Sequence, residues 1–98
     1  MLLTIPVFSA AQTPKQIRGE GIAGQLFRYE KFASRFVDAR NIDVWLPANY
    51  SKNKKYAVLY MHDGQNIFYP KEAFGGVEWN IDETLQKLIS EKKARDTI

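Results

Sequence analysis

Four stretches of the chain carry a hydrophobic pattern that commits the backbone. Residues 25–34 set Leu26, Phe27, Tyr29 and Phe32 among charged neighbours, a β-rich composition that predicts a first strand. Residues 40–46 alternate more cleanly, with Ile42, Val44 and Leu46 between Asn41, Asp43 and Trp45, and Pro47 ends the run. Together they predict an antiparallel hairpin spanning 26–46. Residues 56–61, Tyr-Ala-Val-Leu-Tyr-Met, do not alternate, which is the pattern of a strand buried on both faces inside a parallel sheet. Ile81, Leu85, Leu88 and Ile89 recur at helical spacing and predict an amphipathic helix over 81–92 that covers one face of the sheet. Asn80 stands where an N-cap belongs and Glu83, three residues on, completes a capping-box pattern. Asp82 and Glu83 then lie in the first turn, where the helix dipole favours acids. The intervening segments read as turns, and residues 12–24, with Thr13-Pro14, Gly19, Gly21 and Gly24, read as a linker with no core of its own.

The apolar run at 56–61 opens directly into the polar loop His62-Asp63-Gly64-Gln65-Asn66. A loop leaving the carboxyl end of such a strand is where α/β folds place ligand-binding groups. Upstream stands Arg40-x-Ile42-x-Val44-Trp45-Leu46-Pro47-x-x-Tyr50, and downstream Trp79-Asn80-Ile81-Asp82-Glu83. In these three blocks the chain resembles the esterase branch of the α/β-hydrolases, the group of esterase D, enterochelin esterases and feruloyl esterases. The resemblance implies an α/β fold, specifically the N-terminal part of an α/β-hydrolase: antiparallel hairpin, buried central strand, oxyanion loop and first helix. It implies a serine hydrolase acting on carboxylic esters, with no cofactor and no metal. The substrates in that group are acyl or feruloyl esters of carbohydrates, siderophore esters and simple acyl esters.

The same resemblance assigns roles within the loop. Acyl transfer builds negative charge on the former carbonyl oxygen, and in α/β-hydrolases one of the two N–H groups that stabilise it comes from the loop after the third strand. Matched residue by residue, that donor is the backbone N–H of Gln65, with Gly64 allowing close approach of the chain. His62 is expected to be structural, holding neighbouring loops, and Asp63 to organise the loop through side-chain bonds to local backbone. Trp79 either lines an acyl or sugar pocket beside the loop or docks the helix.

The nucleophile is missing from these residues. It belongs in a G-x-S-x-G elbow followed by an acid and then a histidine. Ser9, Ser34, Ser51 and Ser90 have no flanking glycine, and the only histidine, His62, sits in the loop. The chain is therefore read as a fragment, inactive alone: 1–11 a truncated signal peptide, 12–24 a linker, 25–98 the N-terminal portion of the esterase domain. In the strand order of that fold the fourth strand lies between the second and third, and residues 94–98 resemble its lead-in. The run at 56–61 is accordingly expected to be unpaired, or paired in a non-native way. Two other functions fit the same residues: a non-catalytic α/β-hydrolase-like binding protein, and an acyltransferase of the mycolyltransferase type.

Composition removes several alternatives. The chain has 98 residues, 45% hydrophobic and 26% charged, ordinary for a globular protein but short for a whole α/β-hydrolase. The net charge of +3 reflects Lys52, Lys54, Lys55, Lys92 and Lys93, which lack the interleaved aromatics of a single-strand nucleic-acid binder. Absence of cysteine excludes disulfides and thiolate metal sites, and no H-E-x-x-H spacing surrounds the single histidine. Glu78 and Asp82, four apart, superficially suggest a glycosidase carboxylate pair, but a helix start attracts acids for electrostatic reasons alone. Residues 1–7 form a short apolar run, too short to span a bilayer, and Ser9-Ala10-Ala11 before Gln12 offers the small residues that signal peptidase accepts. Either this is the end of a signal peptide, which implies a periplasmic or secreted protein, or it is an apolar arm and the protein is cytoplasmic.

Overall fold

The computed structural model describes residues 12–98, so the 1–11 segment read as a signal peptide lies outside the described residues. Strands β1 (Lys15–Ile17), β2 (Gln25–Phe32) and β3 (Arg40–Leu46) form an antiparallel sheet in the order β1-β2-β3, and one helix, α1 (Ile81–Ser90), follows. The hairpin that alternation predicts is β2–β3, with Leu26 opposite Trp45 and Tyr29 opposite Ile42. Leu26 and Trp45 are buried, and the Trp45 indole N–H donates to the Ala23 carbonyl at 2.5 Å. This contact leaves no room at position 24: Gly24 has φ +72°, and a Cβ there would lie 2.5 Å from the Leu46 carbonyl oxygen. Residues 12–24 contribute more than a linker, because Lys15–Ile17 pairs with Leu26 to Arg28 and extends the sheet. Three residues are too short a run to show periodicity.

Helix α1 starts at Ile81, as its stripe predicts, and ends at Ser90 rather than residue 92. Lys92 adopts a left-handed conformation (φ 58°), and the N–H groups of Lys93 and Ala94 turn back to the Leu88 carbonyl at 2.8 and 3.1 Å, which closes the helix. The capping box is corrected. Asn80 occupies the N-cap but is itself left-handed (φ 57°, ψ 32°), and its side chain makes no capping bond. Its N–H is taken by the Glu78 carboxylate instead of by Glu83.

The run at 56–61 departs from expectation in its burial, not in being paired. Its start is paired, and in parallel: Ala57 N–H donates to Asp96 O, Ile98 N–H to Ala57 O and Leu59 N–H to Ile98 O, each at 2.9 Å. The segment 96–98 thus lies beside the start of the run in parallel. The run is also not buried on both faces. Val58 and Leu59 are each 52% exposed and Tyr60 is 89% exposed, because no strand among the described residues packs on its other side. Among the described residues the buried apolar side chains are Leu26, Trp45, Ile67 and Ala73, a small core.

Candidate active site

The loop after the central run is built around two backbone turns and one amide side chain. Asp63 takes a left-handed conformation (φ 58°, ψ 46°) that swings the chain out of its extended path. The following residues, Gly64–Asn66, then close a 3-10 turn, with Asn66 N–H donating to Asp63 O at 2.9 Å and Ile67 N–H to Gly64 O at 3.2 Å. Ile67 is 2% exposed and anchors the turn in the core. Gln65 is exposed at the crest, and its backbone N–H donates to no acceptor among the described residues.

Asn66 ties this turn to its surroundings. Its carbonyl accepts the Trp79 N–H at 2.8 Å, and its Oδ1 accepts the Phe74 N–H at 2.9 Å. Sequence reasoning passed over Asn66, although a short amide beside a glycine-containing turn is a recognisable organiser of backbone. The role expected of Asp63 is corrected accordingly: its side chain makes no hydrogen bond among the described residues, and it acts through its backbone angles. His62 likewise is exposed and makes no side-chain bond to a neighbouring loop among the described residues. Gly64 also differs from expectation. Its φ is not in the left-handed region, and a Cβ there would meet Asp43 Oδ2 at an ordinary 3.8 Å, so the demanding conformation belongs to Asp63.

Asp43, beneath the loop, belongs to an ionic clamp that periodicity could not reveal. Arg28 on β2 donates to Asp43 on β3 at 2.7 and 2.9 Å, and to Glu72 in the segment beyond the loop at 3.0 and 2.6 Å. The Arg28 guanidinium holds the Glu72 carboxyl below its ordinary value, and the hydrogen bonds it donates to Asp43 and then to Glu72 hold Arg28 in its charged form. This clamp joins the hairpin to the 69–76 segment that Asn66 grips from the other end.

His62, Asp63, Gly64 and Gln65 line one end of an apolar groove of about 690 Å³, walled by Ile42, Val44 and Trp45 of β3, residues 58–61, and Ile81 and Leu85 of α1. Trp79 is half exposed and is not part of this wall; it joins the loop through its backbone. Glu78 and Asp82 do come together, with Glu83, but they are 7% and 0% exposed and do not line the groove. Burial first, and then the Glu83 carboxyl beside it, push Asp82 up to about 7, against the pull of the Ala23 N–H bond; Glu78 is raised too, chiefly by burial. A pair buried in this way has no access to a sugar.

A family model described as "Putative esterase" matches residues 33–98, more than half of the chain and the whole of the loop, groove and helix, and the chain belongs to that family. It is thus an esterase-like hydrolase chain, whose substrates are small molecules, and its described residues form a three-stranded antiparallel sheet and one helix compatible with a partial α/β domain. No solved structure matches it. Among the described residues no helix is long and apolar enough to cross a membrane.

Proposed function

We propose that the chain is the N-terminal portion of a serine hydrolase of carboxylic esters with the α/β-hydrolase fold, and that its loop supplies half of the oxyanion hole. The observation that carries this reading is the Gln65 N–H, unbonded at the crest of a turn that Ile67 and Asn66 hold fixed at the end of an apolar groove. When a serine hydroxyl attacks an ester carbonyl, the oxygen gains charge, and a donor already aimed at it stabilises that charge without reorganising. The serine, acid and base belong to the remainder of the longer protein. Acyl and feruloyl esters of carbohydrates, siderophore esters and simple acyl esters are the substrates proposed.

The test compares two substitutions in the full-length protein, with p-nitrophenyl acetate as substrate. Gln65→Ala keeps the donor and should change kcat modestly, whereas Gln65→Pro deletes the N–H and should lower kcat by on the order of 10²-fold or more. Equal kcat for the two variants, with equal melting temperatures, refutes the assignment. The 98-residue chain alone should show no turnover above background in the same assay.

A further inference from the structure

The groove uses none of the three carboxyls gathered at the start of α1, and their arrangement poses its own question. One carboxylate oxygen each from Glu78, Asp82 and Glu83 lies within 4.8 Å of the others. Asp82 is completely buried. Two of the cluster's oxygens, Asp82 Oδ1 and Glu83 Oε2, are buried with no hydrogen-bond partner among the described residues. Three ionised carboxylates so placed would repel one another and leave both oxygens desolvated without compensation. None of the ion pairs among the described residues includes any of the three. The charged groups that face Asp82 are Glu83 on its own helix and Glu78 on the segment before it; the packed N-terminal arm offers the backbone N–H of Ala23, 2.8 Å from Asp82 Oδ2.

We propose that Asp82 and Glu83 share one titratable proton, and that this proton latches the N-terminal arm to the start of α1 through the bond from Ala23. One proton between Asp82 Oδ1 and Glu83 Oε2 turns two orphaned acceptors into a donor and an acceptor. It leaves Asp82 Oδ2 free to accept from Ala23 and Glu78 free to accept from Asn80. The latch therefore satisfies the whole cluster with a single proton from solvent. It is independent of the esterase reading.

The sign follows from the raised Asp82, near 7 when latched and in the ordinary carboxylate range when the arm opens and the cluster is solvated. The latched state binds the extra proton, so the latch is fully present below the ordinary carboxylate value and weakens as pH rises, until it levels off above the raised value. The experiment is a pH titration of the full-length protein labelled with ¹³C, following side-chain carboxyl carbons together with hydrogen exchange at the Ala23 amide. The Asp82 carboxyl should show a step near pH 7, and Ala23 protection, corrected for intrinsic exchange, should fall about tenfold per pH unit between about pH 5 and 7. Asp82→Asn, which mimics the protonated carboxyl, should abolish both the step and the loss of protection. Glu83→Gln, which donates without titrating, should lower the Asp82 step, while burial still holds it above the ordinary range. Titration of Asp82 below about pH 5 in the unsubstituted protein overturns the proposal, as does an Asp82→Asn variant with the same pH-dependent loss. A third arm adds calcium or magnesium chloride at about pH 8. Saturable recovery of Ala23 protection that Asp82→Asn eliminates would make the cluster a cation site and overturn proton sharing.

Discussion

Replacing Arg28 by methionine tests whether the ionic clamp supports the hairpin beneath the candidate loop. Methionine keeps much of the buried stem and removes four hydrogen bonds of 3.0 Å or shorter. The two acceptors do not lose equally. The Glu72 side chain is 33% exposed, so water replaces much of what it loses, and its share is about 0.2–1 kcal/mol. The Asp43 side chain is 9% exposed and is left as a nearly buried charge without a counter-ion; full burial sets a scale of about 3–5 kcal/mol, reduced here by its residual contact with solvent. A total of about 3 kcal/mol corresponds to roughly a hundredfold more frequent opening of the β2–β3 ladder, read as amide hydrogen exchange at Phe27 and Val44. The second variant, Arg28→Met with Asp43→Asn, removes the stranded charge and should recover most of the loss. Acidification adds a signed check. Arg28 depresses the Glu72 carboxyl, so its contribution is present above the ordinary glutamate value of 4.5 and is lost as pH falls through the lowered one, in the parent chain but not in Arg28→Met. Protection within threefold of the parent, or a double variant as unprotected as the single one, refutes the argument.

Gly24→Ala should destabilise the arm by more than about 1 kcal/mol, because alanine resists a φ of +72° and its methyl would collide with the Leu46 carbonyl; unchanged protection at Leu26 would contradict this. Trp45→Phe should cost about 1–3 kcal/mol by stranding the Ala23 carbonyl, measured as loss of exchange protection at Leu26 and Phe27. Protein made from the complete gene in a secreting host should begin at Gln12, and mature protein beginning at Met1 would remove the argument for export. The isolated chain, with so few buried apolar residues, should unfold without cooperativity or associate; a sharp two-state transition of a soluble monomer would show that it is a complete small domain.

What the sequence made legible was whatever repeats along one segment. Alternation at Ile42 and Val44 and the stripe of Ile81, Leu85, Leu88 and Ile89 locate β3 and α1, and the motif 62–66 locates the loop. Illegible were the contacts set by how segments meet. Arg28, Asp43 and Glu72 are 15 and 44 positions from partner to partner, and they join only because Arg28 and Asp43 face each other in the hairpin register. The acids before and within α1 illustrate the same limit differently. Their placement at a helix start is explained by the dipole, yet that rule assumes solvent, and packing of the arm at Ala23 buries Asp82 completely. Capping went astray for a related reason: Glu78, inside the cluster, reaches the Asn80 N–H, which leaves Glu83 to face Asp82.

The run at 56–61 shows what a pattern of burial actually states. Six residues without alternation describe what the segment requires on both faces, not what lies there. Among the described residues only one edge is paired, by three hydrogen bonds to the 96–98 segment, and Tyr60 stands in solvent. An apolar strand in that condition invites another strand to its free edge. The Gln65 turn is suspended between this run and Ile67, so the direction of its N–H is fixed at one end by the core and at the other by residues 60–61, of which Tyr60 is largely uncovered. Whatever covers residues 58–61 therefore also steadies the candidate oxyanion donor. Esterase activity and protection of the Tyr60 and Met61 amides should for that reason appear together in any longer form of this protein, and a form that is active while those amides exchange freely would separate the loop from the run that carries it.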